Sequence, residues 1–256
     1  MPKDIFISLV IPAFNEAQRI VETLGEAVHY FESRNYSFEI IVSADGQDGT
    51  RERAAELAAR DPRICVTGDN ERRGKGFGIR RAVCLAKGSI VGFTDADNKT
   101  PITELDKFMG PLSEGNEVVI GSRCLGARIE HPQPLYRRLG SRGFGIFMHS
   151  VVGLKRINDT QCGFKFFRRD AAICLFAKQK IDGYMFDVEI LCLAEKAGYR
   201  IVQIPVRWRD DADSRLQLVR GNLQNVKDIF RIYSMHRRSK PQSHEQSTTP
   251  DKAKAI

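Results

Sequence analysis

Residues 91–97 have the sequence VGFTDAD, in which an apolar run leads directly into two carboxylates with one residue between them. The β-branched and aromatic residues of 89–94, preceded by Gly88, predict a buried strand. Asp95 and Asp97 then fall at the carboxyl end of that strand, where open α/β sheets place their ligand crevice. An isolated Asp-x-Asp is more often a solvated turn, so the rest of the sequence has to decide between the two interpretations.

A cation would relieve the repulsion between two carboxylates placed so close together. Mg²⁺ prefers one or two carboxylates together with the oxygens of substrate phosphates, and a diphosphate supplies such oxygens. We therefore predict that Asp95 and Asp97 hold Mg²⁺ or Mn²⁺ against a ligand that contains a diphosphate.

The first half of the chain alternates between strand and helix patterns. Strands are predicted at 5–11, 38–44, 63–67, 89–94 and 117–120, and helices at 16–31, 50–60 and 76–87. Such alternation predicts an α/β fold with a mostly parallel central sheet and helices on both faces. Residues 1–122 are accordingly interpreted as a nucleotide-binding half.

Residues 123–236 are less regular and are predicted to complete the same single domain as an acceptor half. The predicted elements are an amphipathic helix at 135–154, a strand at 163–167, a helix at 184–197, a strand at 200–208 and a helix at 216–233. Trp208 follows an apolar strand and is expected in the core. Residues 237–256 are rich in Lys, Ser, Gln and Thr, which predicts a disordered basic tail.

The charge balance is basic, with 40 Lys and Arg against 32 Asp and Glu in 256 residues, a net charge of +8. This balance favours acidic partners such as phosphates, nucleic acid or an anionic membrane surface. The six cysteines form no Cys-x-x-Cys pair, so free thiols in a reducing compartment are expected. No run of ~18 apolar residues predicts a transmembrane helix, and any membrane association is expected to be peripheral.

Glycines 74, 76 and 78 suggest a phosphate-binding loop without matching a common one. The spacing from Gly68 is one residue too long for a Walker A loop, and Gly76 stands where Ser or Thr would hold the metal. We interpret residues 73–76 (RGKG) as the start of a helix that lets the backbone approach a phosphate or sugar. A flexible helix entry explains these glycines equally well.

Several short motifs occur in order along the chain. They are residues 10–16 (VIPAFNE), 43–50 (SADGQDGT), 73–76 (RGKG), 95–97 (DAD), 121–123 (GSR), 159–165 (DTQCGFK), 186–189 (FDVE), 205–208 (PVRW) and 214–216 (SRL). The first five resemble the signature of family 2 inverting glycosyltransferases with the GT-A fold. The later ones resemble dolichyl-phosphate β-glucosyltransferases and their relatives, the dolichyl-phosphate mannose synthases. The resemblance spans residues 5–235.

This resemblance implies roles for individual residues. The implied donor-binding residues are Pro12, Ala13, Phe14, Glu16, Asp45, Lys75, Asp95, Ala96, Asp97, Arg209 and Arg215. Among them, Asp45 would hold the edge of the base. The implied acceptor-binding residues are Arg123, Arg137, Ser141 and Asp159. The catalytic set would be Asp95, Asp97 and Arg123, with the two aspartates as metal ligands.

The resemblance also implies the reaction: a hexose passes from a nucleotide sugar to a polyprenyl or dolichyl phosphate, with inversion. Lys99 stands where the mannose synthases carry a metal-binding Gln, which favours UDP-glucose as donor. An acceptor phosphate is already anionic at neutral pH because its second pKa is about 6, so we expect no carboxylate to act as general base. Asp159 is the nearest candidate for one.

The predicted helix at 135–154 carries Arg137, Arg138 and Arg142 among apolar residues. An amphipathic basic helix is typical of proteins that lie in a membrane interface. We therefore expect a cytoplasmic protein that associates peripherally with the cytoplasmic face of a membrane, the endoplasmic reticulum in a eukaryote.

Four other functions compete with this one. Two are enzymatic: a GDP-mannose-dependent polyprenyl-phosphate mannosyltransferase, and a family 2 transferase with a soluble acceptor. A third is an inactive scaffold, although both carboxylates of the pair are intact. The fourth is a nucleic-acid-binding protein, against which the arginines do not cluster on one predicted helix face with interleaved aromatics. We therefore expect no nucleic-acid partner.

Overall fold

The computed structural model describes residues 6–124, 148, 150–209 and 220–236, and seven strands in these ranges form one sheet. They are β1 (Ile7–Phe14), β2 (Phe38–Asp45), β3 (Ile64–Thr67), β4 (Ile90–Phe93), β5 (Val118–Ser122), β6 (Lys165–Arg168) and β7 (Ile201–Pro205). Their order across the sheet is β3-β2-β1-β4-β6-β5-β7. Only β6 runs antiparallel to its neighbours among these strands. The predicted α/β fold with a mostly parallel sheet is confirmed.

Helices cover both faces of this sheet. The helices whose bounds the structure describes are α1 (Ile20–Ser33), α2 (Thr50–Ala58), α3 (Lys75–Val83), α4 (Asp106–Ser113), α5 (Arg169–Lys178), α6 (Phe186–Lys196) and α7 (Arg220–His236). A 3₁₀ turn at Ile102–Leu105 precedes α4. Because successive strand residues point to opposite faces, Val10 packs in the core formed with α3, α5, α6 and α7, and Leu9 packs in the core formed with α1, α2 and α4.

The carboxyl ends of the parallel strands meet at one edge of the sheet. Phe14 pairs with Asp45 at the ends of β1 and β2, and Asp95 follows β4. The antiparallel strand β6 starts at the same edge, because its first residue, Lys165, pairs with Phe93. The segments that precede β6 and follow β5 and β7 are therefore brought to this edge as well.

One predicted strand end is wrong. Residues 5–11 were expected to form a strand that stops at Pro12, whereas β1 continues through Pro12 to Phe14. The Val10 carbonyl accepts a hydrogen bond from Thr94 N on the β4 side, and Val10–Phe93 is the last pair between the two strands. Pro12 faces the same side two residues later, where β4 has ended, so its missing N–H leaves no ladder bond unmade.

The second half differs more from prediction. The antiparallel placement of β6 and the helix α5 were not predicted, while α6, β7 and α7 lie within a few residues of their predicted bounds. The predicted helix at 135–154 lies mostly outside the described residues, as does the tail at 237–256. The division of the domain after residue 122 stays a prediction.

Gly92 provides a direct test of the sheet register. It lies opposite Phe166, and a Cβ added at Gly92 would lie 2.1 Å from Cδ1 of that buried ring. We expect Gly92→Ala to lower the free energy of unfolding in urea by about 2–3 kcal/mol, since the ring is packed on all sides. Gly25→Ala is the control: it has nothing within 4 Å in α1 and should stabilise by roughly 0.5–1 kcal/mol. Wild-type stability of Gly92→Ala would contradict the register.

Candidate active site

A pocket opens at the carboxyl ends of β1, β2 and β4. Its lining includes nine of the residues predicted to bind the donor, namely Pro12, Ala13, Phe14, Glu16, Asp45, Lys75, Asp95, Ala96 and Asp97. Ser43, Arg72 and Tyr184 also line it and were not predicted. The structure thus brings most of the predicted donor-binding set together, while the role of each residue toward a ligand stays a prediction.

Asp95 is held close to two other parts of the chain. The Lys75 ammonium lies 2.6 Å from its Oδ1. A Cβ at Gly163 would lie 2.0 Å from its Oδ2, so only glycine allows the backbone before β6 to come this near. The Asp95 side chain remains 39% exposed, and it faces the pocket.

Lys75 is the first residue of α3, where a positive charge opposes the helix dipole. The glycines on either side allow a close approach to residues 181–186. Gly74 has φ 111°, and a Cβ there would lie 2.3 Å from the Asp182 carbonyl oxygen; a Cβ at Gly76 would lie 2.6 Å from Phe186 Cβ. Burial lowers the pKa of Lys75, but the carboxylates of Asp95 and Asp187 outweigh it and raise that pKa above its usual value. Lys75 is therefore fixed in place and charged.

Asp97 has a lysine of its own. The Lys99 ammonium lies 3.7 Å from Asp97 Oδ2, and the Lys99 backbone N–H donates to Oδ1 at 3.3 Å. Burial, and then the nearby charge of Asp95, raise the pKa of Asp97. Ala96 separates the two aspartates, and its carbonyl accepts a 2.8 Å hydrogen bond from Thr23 Oγ1, which anchors the turn to α1.

The Asp95–Asp97 pair suits a divalent metal ion by its chemistry and its place. Two carboxylates one residue apart lie at a strand end, in a pocket open to ligand. Within the described ranges no His, Cys, Asp or Glu joins them in a group of three or more that could hold a metal. Phosphate oxygens and water would have to supply the other ligands, which is the coordination that Mg²⁺ prefers.

Asp45 shapes the wall of the pocket through its hydrogen bonds. Its Oδ1 accepts from Asp69 N at 3.1 Å and from Arg81 Nη2 at 2.9 Å, and its Oδ2 accepts from Arg73 N at 3.0 Å. These bonds tie residues 69–73 to the end of β2. The predicted contact of Asp45 with a base stays a prediction.

The mouth of the pocket carries an aromatic–cation contact that sequence patterns did not predict. The guanidinium of Arg72 lies 4.5 Å from the ring centroid of Phe14 and donates to the Tyr184 hydroxyl at 2.9 Å. Phe14 and Tyr184 are 36% and 48% exposed. Three distant parts of the chain meet here, which no local pattern reveals.

Arg123 and Asp159, predicted as separate acceptor contacts, form one bidentate ion pair. Arg123 donates from Nε at 2.8 Å and from Nη2 at 2.9 Å, and its backbone N–H donates to Oδ2 at 2.9 Å. Burial raises the pKa of Asp159, but the hydrogen bonds and charge of Arg123 outweigh burial and lower it to about 2. A carboxylate held in this way is a poor proton acceptor at neutral pH.

Trp208 is not in the core, contrary to prediction. It is half-buried at the edge of the sheet after β7, with Lys99 Nζ 5.7 Å and the Arg123 guanidinium 5.4 Å from its ring centroid. The strand ends at Pro205, three residues earlier, so the apolar pattern did not extend to Trp208. The ring joins the Asp97–Lys99 turn to the Arg123–Asp159 pair.

Of the remaining predicted site residues, the structure describes Arg209. Arg209 is exposed beside this edge, and its backbone N–H donates to the Lys99 carbonyl at 2.9 Å. Arg137, Ser141 and Arg215 lie outside the described residues, so their predicted contacts are untested.

A buried ion pair lies behind the pocket and was not predicted. Lys165, fully buried, donates to Asp187 Oδ1 at 2.6 Å and to the Cys162 carbonyl at 2.5 Å. Both residues belong to motifs noted in the sequence, 159–165 and 186–189, yet their pairing depends on how β6 and α6 pack. Burial raises the pKa of Asp187, and the charge of Lys165 opposes this.

None of the helices in the ranges given above is both long enough and apolar enough to cross a membrane.

Comparison with known proteins identifies the family and the fold. The model of the family described as "Glycosyl transferase family 2" matches residues 8–176. A dolichyl-phosphate beta-glucosyltransferase of Trichomonas vaginalis is 33% identical over 244 residues, which cover 90% of this chain and 72% of that protein.

Two solved structures of glucosyl-3-phosphoglycerate synthase from Mycobacterium tuberculosis have the same fold. The complex with UDP has a TM-score of 0.67 at 22% identity and covers 90% of this chain and 80% of that one. The complex with Mn²⁺, UDP and phosphoglyceric acid has a TM-score of 0.64 at 22% identity and covers 89% and 78%. At this identity the likeness shows the fold, which is the predicted GT-A type.

The Arg123–Asp159 pair predicts a coupled loss of stability. We expect Asp159→Asn and Arg123→Ala each to lower the free energy of unfolding at pH 7 by roughly 3 kcal/mol, because each leaves a partner without its counter-charge. The double variant should lose clearly less than the sum, since both changes remove the same pair. Urea unfolding of the four proteins measures this, and strict additivity would show that the pair is not formed.

The Arg123–Asp159 pair also predicts how the stability of the protein changes with pH. The pKa of Asp159, about 2 in the folded protein, lies below the unfolded value of about 3.9. The contribution of Asp159 to the free energy of unfolding is therefore present above about pH 4 and is lost as the pH falls toward 2. The stability difference between wild type and Asp159→Asn should shrink below pH 4, whereas a constant difference would contradict the assignment.

Proposed function

Because this chain belongs to glycosyl transferase family 2, we propose that it transfers glucose from UDP-glucose to a polyprenyl phosphate of the dolichyl type, with inversion at the anomeric carbon. The chain is a glycosyltransferase with the GT-A fold. The observation that carries the proposal is the convergence of nine predicted donor-binding residues on one pocket. The names of the relatives, and the UDP and Mn²⁺ bound in neighbouring structures, support the choice of substrates and metal.

The donor's diphosphate is assigned to the end of the pocket that holds the Asp95–Asp97 pair. These two residues would bind Mg²⁺ or Mn²⁺, which supplies positive charge to the diphosphate leaving group. The ammonium of Lys75 lies at the same point and offers a second positive charge from the chain itself. Lys75 is also the first residue of α3, and the dipole at the amino end of a helix favours an anion placed there.

The acceptor phosphate is assigned to Arg123. The Arg123 guanidinium and the Lys99 ammonium both lie over the Trp208 ring, and Lys99 pairs with Asp97. The pairing with Asp159 uses Nε and one N–H of Nη2, so Arg123 would donate to the phosphate from Nη1 and from the second N–H of Nη2. A phosphate nucleophile is already charged, because its second pKa is about 6, and the protein has only to hold it in line with the sugar. Asp159 then orients Arg123 and takes no proton.

A transfer assay with purified protein tests the proposed donor and acceptor. Labelled UDP-glucose and GDP-mannose are each offered with a short polyprenyl phosphate or with 3-phosphoglycerate, with Mg²⁺ or Mn²⁺ and after chelation. We expect glucose transfer to the lipid phosphate that needs metal. Transfer of mannose, or transfer to the soluble acceptor alone, would favour one of the other enzymatic functions and overturn this proposal.

Asp97→Asn should reduce transfer by at least about 10²-fold, because the leaving group loses several kcal/mol of electrostatic stabilisation. The matched control is Asp170→Asn, an exposed aspartate in the first turn of α5 at the opposite edge of the sheet. Both variants should unfold at urea concentrations near that of wild type. An Asp97→Asn protein that transfers glucose at the wild-type rate would contradict the assigned role.

Membrane association is proposed for α7 as well as for the predicted helix at 135–154. Ile229 and Ile232 of α7 are buried against the protein, while Leu223, Phe230 and Tyr233 are 63%, 52% and 39% exposed. Exposed Lys227 and Arg231 lie on the same helix. Apolar and basic side chains on one surface helix are suited to the interface of an anionic membrane.

We therefore predict salt-sensitive flotation with vesicles that contain phosphatidylserine. The double variant Leu223→Ser/Phe230→Ser should bind at least about tenfold more weakly, since two apolar side chains no longer enter the interface. Val21→Ser is the control, because Val21 is 42% exposed on α1, on the opposite face of the sheet. Flotation that depends on neither lipid charge nor α7 would contradict the assignment.

A further inference from the structure

Each carboxylate of the Asp95–Asp97 pair already has a lysine beside it. The Lys75 ammonium lies 2.6 Å from Asp95 and the Lys99 ammonium lies 3.7 Å from Asp97. The two lysine side chains are only 18% and 14% exposed. Lysines are seldom buried to this extent unless they are paired, so these two are part of the pocket and not solvated surface charges.

The chain holds both lysines in place by features unrelated to each other. Lys75 lies between two glycines whose close approach to residues 181–186 fixes the start of α3. Lys99 is fixed by its own turn, because its N–H donates to Asp97, its carbonyl accepts from Arg209, and its ammonium lies over the Trp208 ring. Two independent arrangements therefore bring a positive charge to the same carboxylate pair.

We propose that Lys75 and Lys99 are resident counter-ions of the Asp95–Asp97 pair and make binding of the divalent metal depend on the nucleotide sugar. In the empty pocket the two ammonium groups neutralise the two carboxylates. A metal ion that enters alone meets two positive charges a few ångströms away and has only carboxylates and water as ligands. The repulsion weakens its binding.

A bound diphosphate removes this repulsion between the lysines and the metal ion. Its oxygens accept from the ammonium groups, which releases the carboxylates, and the same oxygens complete the coordination of the metal. Metal and nucleotide sugar therefore bind together, and each strengthens the binding of the other by the same factor. The lysines act as positioning residues for both. This inference rests on the proposed function insofar as it takes the ligand to be a nucleoside diphosphate sugar.

The experiment measures Mn²⁺ binding from the loss of the free Mn²⁺ electron paramagnetic resonance signal, with and without UDP. The proteins are wild type, Lys75→Gln, Lys99→Gln and Lys75→Arg. The control is Lys87→Gln, which removes an exposed lysine next to the start of β4, at the opposite edge of the sheet. Urea unfolding of every variant shows that it is folded.

In the metal-only arm, wild type and Lys87→Gln should bind Mn²⁺ weakly. Each Lys→Gln change at the pair should tighten that binding roughly tenfold, the order expected when a unit charge a few ångströms away is removed from a partly solvated site. Lys75→Arg keeps the charge and should bind Mn²⁺ like wild type. In a separate equilibrium dialysis of labelled UDP with chelator present, the two Lys→Gln variants should bind UDP more weakly than wild type, which is a change of opposite sign.

Equal Mn²⁺ affinity in all the proteins would overturn the proposal, and so would a wild-type affinity that UDP does not change. Absence of Mn²⁺ binding from every variant would overturn it too, since the lysines would not then be what excludes the metal. The metal-only arm contains no nucleotide, so its result stands whichever donor the transfer assay identifies. A wild-type Mn²⁺ affinity that UDP does not change overturns the coupled binding even if the Lys→Gln changes still tighten Mn²⁺ binding, and the transfer assay then decides the donor by itself.

Discussion

The ion pair between Lys75 and Asp95 is the contact on which the arrangement of the pocket depends. Three glycines make it possible, because Gly74 and Gly76 let α3 approach residues 181–186 and Gly163 lets the backbone before β6 approach Asp95. Four motifs that are far apart in the sequence, at 73–76, 95–97, 159–165 and 186–189, meet at this contact. Their joint occurrence in one chain thus has a structural reason.

Charges alternate through this region from the pocket into the core. Asp95 pairs with Lys75, the charge of Asp187 adds to the rise in the pKa of Lys75, and Asp187 pairs with the fully buried Lys165. The Lys165–Asp187 pair is buried away from water, so it keeps its orientation while a ligand binds in front of it, which is the condition for electrostatic stabilisation of a developing charge. The buried pair behind the pocket therefore supports the proposed role of the carboxylates in front of it.

Sequence patterns were sufficient for the parts of this site that depend on local structure. The apolar run before Asp95 predicted β4, and a parallel sheet brings the carboxyl ends of β1, β2 and β4 together without further information. Patterns could not predict that β6 runs antiparallel between β4 and β5, because partner choice depends on contacts some 70 residues apart in the chain, as in Gly92–Phe166. The pairing of Arg123 with Asp159, and the position of Trp208 beside it, follow from that topology and were missed for the same reason.

The most direct test is a crystal structure of the chain with Mn²⁺ and UDP, in which anomalous scattering locates the metal. The account predicts one Mn²⁺ bound to the carboxylates of Asp95 and Asp97 and to the diphosphate, with the Lys75 ammonium moved from Asp95 toward a phosphate oxygen. A metal bound elsewhere, or a diphosphate bound while Lys75 remains paired with Asp95, would contradict it.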